Sequence, residues 1–159
     1  MNEMNGHDVE DLRVGMRSTF SKTITEADIV LFAAVSGDNN AMHINEEFAA
    51  TTRFGGRIAH GFLTASVISA AVANRLPGPG TIYLSQQLNF RAPVYPGQTV
   101  HASVSVSAID RARRRVTLDT VCRVGETVVI DGQALVMTTS SEKRGPKTSA
   151  AAMPALSLV

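Results

Sequence analysis

The sequence predicts a single α+β domain in which an antiparallel β-sheet wraps around a long central α-helix. The segment from Gly61 to Leu76 is apolar almost throughout, which indicates a buried helix rather than a surface helix. After Pro77, apolar and polar residues alternate in four successive segments, as is typical of antiparallel strands. A chain of 159 residues with 44% apolar residues is long enough for one core and too short for two.

The first predicted helix begins at Thr25, because Thr25 and Asp28 have the spacing of a capping box. It ends at Gly37, which leaves Asp38 at the exit of the helix. Its apolar stripe is expected to consist of Ile29, Phe32, Ala33 and Val35.

A short second helix is predicted from Asn45, which is a favourable N-cap residue. The pair Gly55 and Gly56 interrupts the helical pattern. The long central helix then begins at Gly61 and is stopped by the Pro-Gly-Pro-Gly run at residues 77–80.

Four strands are predicted to follow the central helix, each with alternate apolar side chains on one face. The sets that share a face are Ile82, Leu84, Leu88 and Phe90; Val100, Ala102, Val104, Val106 and Ala108; Val116, Leu118, Thr120 and Cys122; and the segment 128–137. The basic turn 110–115 is expected to be a solvated hairpin tip, and contact with substrate phosphates is the alternative.

Charge and composition exclude several classes of protein. A formal net charge of +1 gives no large basic field for nucleic acid, and a single cysteine gives no disulfide framework. Cys122 is expected to be a buried structural thiol. The sequence shows no signal peptide and no apolar run of about 18 residues, so no membrane association and a cytoplasmic location are expected.

The folded domain is predicted to span residues 10–139. Residues 1–9 are expected to form a flexible N-terminus. Residues 140–159 are mostly Ser, Lys, Thr, Ala and Pro, which predicts a disordered or loosely docked C-terminal tail.

Asp38, His43 and the pair His60-Gly61 form the most informative constellation of the chain. Asp38 and His43 are five residues apart in a segment rich in turn-forming residues, so both side chains can point to one site. An acid and an imidazole can move protons, and a backbone N–H at a helix start can stabilise an oxyanion. Glycine at position 61 would allow close approach of a ligand.

Each of these residues also has a structural interpretation. Asp38 could cap a turn, His43 could be a partly buried structural histidine, and His60 could fix the loop by a hydrogen bond. Asp38, His43 and His60 would be adequate metal ligands, but no metal is expected, because the sequence contains no His-x-x-x-His motif or cysteine pair.

The flanking residues are similar to those of a known family. Residues 32–43, 48–52, 58–61, 76–84 and 90–94 resemble the MaoC-like R-specific enoyl-CoA hydratases, and the resemblance extends over about residues 10–139. The family usually has Asn-Pro-Leu-His where this chain has Asn40-Ala41-Met42-His43. Loss of the proline is expected to affect the rigidity of the loop and not its reacting groups.

The resemblance implies a hot-dog fold and the reversible syn hydration of short-chain trans-2-enoyl-CoA, such as crotonyl-CoA, to R-3-hydroxyacyl-CoA. It implies that Asp38 and His43 form the catalytic dyad, that the Gly61 amide contacts the thioester oxygen, and that Ser69 lies near the dyad. A serine in a buried helix also commonly bonds back to a carbonyl one turn earlier. Residues expected to bind substrate or support the dyad are Asn40, His60 and Arg91.

The resemblance further implies a homodimer, an acyl-CoA substrate and no cofactor other than the coenzyme A that the substrate carries. Fatty-acid metabolism and the supply of polyhydroxyalkanoate precursors would both use this reaction. Because a fold does not decide a function, two alternatives remain: an acyl-CoA thioesterase and a non-catalytic acyl-CoA-binding domain. A dehydratase acting on acyl carrier protein is a closer variant.

Overall fold

The computed structural model describes residues 6–142, which form one five-stranded antiparallel sheet and four helices. The sheet order is β1-β3-β4-β5-β2, so β1 and β2 are its two edges. The elements are β1 Arg17–Thr23, α1 Glu26–Ser36, α2 Ala41–Ile44, α3 Glu46–Ala50, α4 Gly61–Asn74, β2 Ile82–Phe90, β3 Thr99–Asp110, β4 Arg115–Val124 and β5 Thr127–Met137. The α+β class and the antiparallel sheet are as predicted.

Helix α4 lies against the sheet and forms the centre of the core. Its buried apolar residues are Leu63, Val67, Ile68, Ala71 and Val72. The buried central helix is as predicted, although the sheet covers only one of its faces. The other face exposes Phe62, Ser66 and Ser69.

Strand β1 is an element that the sequence pattern did not reveal. It pairs with β3, and its exposed face is polar, with the hydroxyls of Thr19 and Ser103 2.9 Å apart. Phe20 is its one side chain that packs against the core. An edge strand with a single apolar residue has no alternation to detect.

Two β-bulges alter the predicted strand faces. In β2 the register shifts between Tyr83 and Ser85, and of the predicted face only Leu88 packs against the core. In β3 the shift lies between Val106 and Ala108, and Ala108 is exposed. A bulge adds one residue to one strand, so the alternation reverses beyond it. Apolar side chains predicted to face inward but found exposed are Val35, Ile82, Leu84 and Phe90.

Both ends of the described chain are attached to the domain. The Gly6 amide donates to the Pro79 carbonyl at 3.0 Å, and Val9 is buried. The Ser140 hydroxyl donates to the Glu10 carboxylate at 2.6 Å. The packed segment therefore extends beyond the predicted limits of 10 and 139, while the rest of the two terminal predictions, on residues 1–5 and 143–159, lies outside the described residues.

Cys122 lies in β4 and is fully buried. Burial raises the pKa of its thiol to about 12, so the thiol stays protonated at neutral pH. Its position is that of the structural thiol predicted from the sequence. Within residues 6–142, no helix has the length and apolarity needed to cross a membrane.

Candidate active site

The end of α1 delivers Asp38. Gly37 adopts φ 77°, a left-handed conformation that favours glycine, and its amide donates to the Ala33 carbonyl at 3.0 Å. The Asp38 amide then donates to the Ser36 hydroxyl at 3.1 Å. These bonds end the helix and turn the chain, so that Asp38 follows α1 directly with its carboxylate exposed.

A short helix, α2, carries His43. The sequence did not predict this helix, because four residues are too few to show a helical period. The Asn40 side chain caps it by accepting from the Met42 amide at 3.2 Å. Asn40, predicted to support the dyad, therefore positions the helix that holds His43.

The hydrogen bond of His43 determines which of its nitrogens can react. The imidazole is buried, and its Nδ1 lies 2.8 Å from the Ile58 carbonyl oxygen. Because a carbonyl only accepts, Nδ1 carries the hydrogen and Nε2 carries the lone pair in the neutral ring. The lone pair on Nε2 can accept a proton.

The surroundings of His43 lower its pKa. Burial is the largest cause, and the neighbouring His60 acts in the same direction. The hydrogen bond to Ile58 and the charge of Asp38 oppose the shift. The imidazole is consequently neutral at pH 7, which is the form that can act as a base.

His60 links the parts of the site. Its Nε2 donates to the Asp38 backbone carbonyl at 2.9 Å, which is the loop-fixing hydrogen bond considered from the sequence. Its ring centroid lies 3.9 Å from that of His43 and 4.9 Å from that of Phe32. Among residues 6–142, no partner is found for its buried Nδ1.

The structure brings Asp38, His43 and His60 together. Each offers one oxygen or nitrogen atom, and these atoms lie within 4.8 Å of one another. A carboxylate and an imidazole at this separation can hold one water molecule between them. The same three groups would also be adequate zinc ligands.

The start of α4 places Gly61 beside these groups. His60 occupies the N-cap position without a side-chain cap, and the Gly61 amide has no partner among the described residues. A Cβ atom at position 61 would lie 2.8 Å from a ring carbon of Phe90, so the site needs glycine unless that ring moves. A free amide at the positive end of a 14-residue helix is suited to bind an oxyanion.

A cavity of about 310 Å³ adjoins His43 and Gly61. Met42, Phe54 and Thr64 also line it, and none of these was singled out from the sequence. Thr64 is buried, and its hydroxyl donates to the His60 carbonyl at 3.3 Å. Thr64 could have been singled out from the sequence, because it is a polar residue one turn into an otherwise apolar helix.

The two remaining predicted site residues lie in different places. Arg91 lines the cavity and forms hydrogen bonds of 2.7 and 3.2 Å with Asp131. Ser69 lies on the exposed face of α4, about 12 Å along the helix from Gly61. It is therefore not among the residues that this single chain gathers around His43.

Comparison with known proteins gives concordant results. The family model "MaoC like domain" matches residues 13–129. The chain is 50% identical over 137 residues to a 3-hydroxybutyryl-CoA dehydratase from Methylorubrum extorquens, covering 86% of this chain and 87% of the relative. It is also 50% identical over 131 residues to an (R)-specific enoyl-CoA hydratase from Rhodospirillum rubrum, covering 82% and 91%.

Solved structures show the same fold. An (R)-hydratase from A. caviae involved in PHA biosynthesis matches with a TM-score of 0.79 and 39% identity, covering 81% of this chain and 98% of that one. An R-hydratase from Pseudomonas aeruginosa matches with a TM-score of 0.82 and 38% identity, covering 98% and 99%. The sheet around α4 is thus the hot-dog fold, and the chain belongs to the MaoC-like domain family.

Proposed function

We propose that this protein catalyses the reversible syn hydration of short-chain trans-2-enoyl-CoA to R-3-hydroxyacyl-CoA. The observation that carries the proposal is that neutral His43 lines the same cavity as the free Gly61 amide, with an Asp38 carboxylate oxygen within 4.8 Å of one of its ring nitrogens. The names of the relatives from M. extorquens and R. rubrum support this reaction class.

The proposed reaction uses His43 as both base and acid. Its Nε2 takes a proton from a water molecule that Asp38 also holds, and the resulting hydroxide forms a bond to carbon 3 of the enoyl group. The electron pair of the double bond moves to the thioester oxygen, where the Gly61 N–H stabilises the enolate. The imidazolium then returns its proton to carbon 2 on the same face.

Asp38 has two functions in this scheme. Its carboxylate accepts a hydrogen bond from the second O–H of the water, which stays intact, and so orients the attacking lone pair. Its negative charge also stabilises the His43 imidazolium that forms during the reaction, in the same direction as its effect on the pKa of His43. The reaction needs no cofactor beyond the coenzyme A of the substrate.

We also propose that two copies of the chain form a homodimer. Edge strand β2 exposes the apolar side chains of Ile82, Leu84 and Phe90, and Phe62 of α4 contacts Phe90 with ring centroids 5.8 Å apart. An apolar edge of this kind needs a cover. Ser69 lies on the exposed face of the same helix, so pairing would enclose it and give its hydroxyl access to a site from which it is distant in one chain.

Sedimentation over a range of protein concentrations tests the dimer. A mass of twice the chain is expected, and a monomer mass that does not change with concentration would contradict the pairing. The Ser69→Ala variant should retain the dimer and lose turnover if its hydroxyl acts at the site. Wild-type turnover in that variant would remove Ser69 from the catalytic residues.

The reaction itself is tested by mixing the protein with crotonyl-CoA. Loss of enoyl absorbance, formation of R-3-hydroxybutyryl-CoA and no free thiol are expected, and dialysis against EDTA should leave the rate unchanged. Release of thiol would show a thioesterase instead. If the protein binds crotonyl-CoA or crotonyl acyl carrier protein but converts neither, it is a binding domain. If it converts only the carrier-protein substrate, it is a carrier-specific dehydratase.

A further inference from the structure

Arg53 and Arg91 line the cavity, and Arg57 precedes Ile58, whose carbonyl contacts His43. Two of these three arginines are paired with carboxylates. Arg57 donates to Glu26 at 2.8 Å and to Glu46 at 2.9 Å. Arg91 donates to Asp131 at 2.7 Å. The pKa of each of these guanidinium groups is raised by hydrogen bonds to its carboxylates, and their positive charge is compensated within the chain.

Arg53 differs from both. Within residues 6–142, no carboxylate pairs with it. Its guanidinium carbon lies 4.9 Å from the ring centroid of Phe54, and the Phe54 carbonyl accepts from the Tyr95 hydroxyl at 2.9 Å. The residue is exposed, yet these contacts hold its uncompensated charge beside the cavity.

That cavity is shared with the catalytic groups. Arg53, His43 and Gly61 all line the same space of about 310 Å³. Most of its other lining is apolar, which suits a carbon chain, and an unpaired guanidinium suits an oxyanion with several acceptor oxygens. A ligand with a thioester at one end and a phosphate farther along would satisfy both.

We propose that Arg53 binds a phosphate of the group that carries the acyl chain, and that Arg91 does not supply this contact. The proposal rests on the proposed function, which places the thioester at Gly61. Coenzyme A and the phosphopantetheine of a carrier protein both provide a phosphate on the pantetheine arm, and coenzyme A adds the phosphates of its nucleotide. Arg53 would therefore lower KM and leave the chemical step unchanged.

Three crotonyl thioesters of graded length test the contact: crotonyl-CoA, crotonyl-phosphopantetheine and crotonyl-pantetheine, the last of which has no phosphate. In Arg53→Ala, kcat/KM for crotonyl-CoA should fall about fivefold through KM, as for an exposed ion pair. It should be unchanged for crotonyl-pantetheine. A fall with crotonyl-phosphopantetheine assigns the contact to the phosphate of the arm, and a fall with crotonyl-CoA alone assigns it to the nucleotide.

Arg113→Ala is the matched control. Arg113 is highly exposed in the turn between β3 and β4, which adjoins Met137 at the far end of β5. Ile130, which lines the cavity, lies seven residues earlier on β5, about 23 Å away. This variant should keep the wild-type kcat/KM for all three substrates.

The outcomes separate the two proposals. If Arg53→Ala lowers kcat/KM equally for all three thioesters, or leaves kcat/KM for crotonyl-CoA unchanged, the role of Arg53 is refuted. The proposed hydratase function is not affected by either result. An equal loss in Arg113→Ala would also overturn the role of Arg53, because it would show a general effect of charge. Absence of turnover by the wild-type protein with every thioester would instead refute the proposed function, and the role of Arg53 with it.

Discussion

Helices α1 and α4 begin in opposite ways. At the start of α1, the Thr25 hydroxyl accepts from the Asp28 amide at 3.1 Å, and the Asp28 carboxylate accepts from the Thr25 amide at 2.8 Å. At the start of α4, His60 provides no side-chain cap, and the Gly61 amide adjoins the cavity. The start of α1 pairs two of its amides with side chains of the chain itself, whereas the start of α4 leaves the Gly61 amide without a partner among the described residues.

From this difference we expect stability and catalysis to depend on different helix starts. A missing cap costs about 1 kcal/mol, and α4 offsets that cost by burying apolar side chains against the sheet. Helix α1 exposes Val30, Leu31 and Val35, so it has less burial and depends more on its cap. Changes at the start of α4 should therefore affect catalysis, and changes at the start of α1 should affect folding.

The largest effect is expected from Asp38→Asn, beside the start of α4. The amide has the same shape and keeps an oxygen for the Asn40 amide, but it loses the charge that stabilises the His43 imidazolium. Turnover of crotonyl-CoA should fall about 10³-fold with no change in the thermal unfolding midpoint. Turnover within a few-fold of wild type would refute the catalytic dyad.

A pair of variants at Gly61 tests the free amide itself. Gly61→Pro removes the N–H at a helix position that favours proline, and His60 has φ −57° and ψ 138°, which a residue before proline can adopt. Gly61→Ala introduces the same contact with Phe90 but keeps the N–H. The kcat of the proline variant should be about 10²-fold below that of the alanine variant.

Equal kcat values in the two Gly61 variants would mean that the amide does not bind the oxyanion. Any loss that both variants show relative to the wild type would then come from the contact with Phe90, and the unpaired Gly61 amide would have no role in catalysis. Circular dichroism of both variants checks that α4 still forms.

His60 is expected to position Asp38 and to tune His43. His60→Gln keeps an N–H for the Asp38 carbonyl, whereas His60→Phe keeps the ring beside His43 and loses the donor. The phenylalanine variant should lose about tenfold in kcat, and the glutamine variant less. Similar losses in both would show that the hydrogen bond to Asp38 does not matter.

The pH profile of the same variants gives a second measurement. Because the pKa of His43 is lowered from 6.5, the wild-type kcat/KM should stay constant down to below pH 6.5 and then fall as His43 is protonated. His60 contributes to that lowering, so the acidic limb should move to higher pH in His60→Gln. An unmoved limb would limit His60 to a structural role.

The smallest effect is expected at the start of α1. Thr25→Ala removes the cap and should lower the free energy of unfolding by about 1 kcal/mol, with kcat and KM unchanged. Thr25→Ser keeps the hydroxyl and is the control. If Thr25→Ala lost activity but kept the wild-type stability, the start of α1 would also contribute to catalysis, and the expected difference between the two helix starts would be wrong.

Local signals were sufficient for much of this molecule. The capping box at Thr25, the stop at Gly37 and the cap at Asn45 were each read from residues a few positions apart, and the structure has all three. The structure also brings Asp38 and His43 together as expected, because only four residues separate them, although the helix α2 that carries His43 was not predicted. Interactions of this range depend little on the rest of the fold.

Tertiary structure decided what depends on distant partners. Strand β1 forms because β3 offers an edge, and the bulge in β2 is set by its pairing with β5. The sequence also could not predict which arginines pair with carboxylates, because Arg57 binds Glu26, which is 31 positions away in the chain. The side of α4 on which Ser69 lies follows from where the sheet covers the helix. Local sequence specifies backbone turns and caps, but burial and pairing of charges arise only when the chain closes on itself.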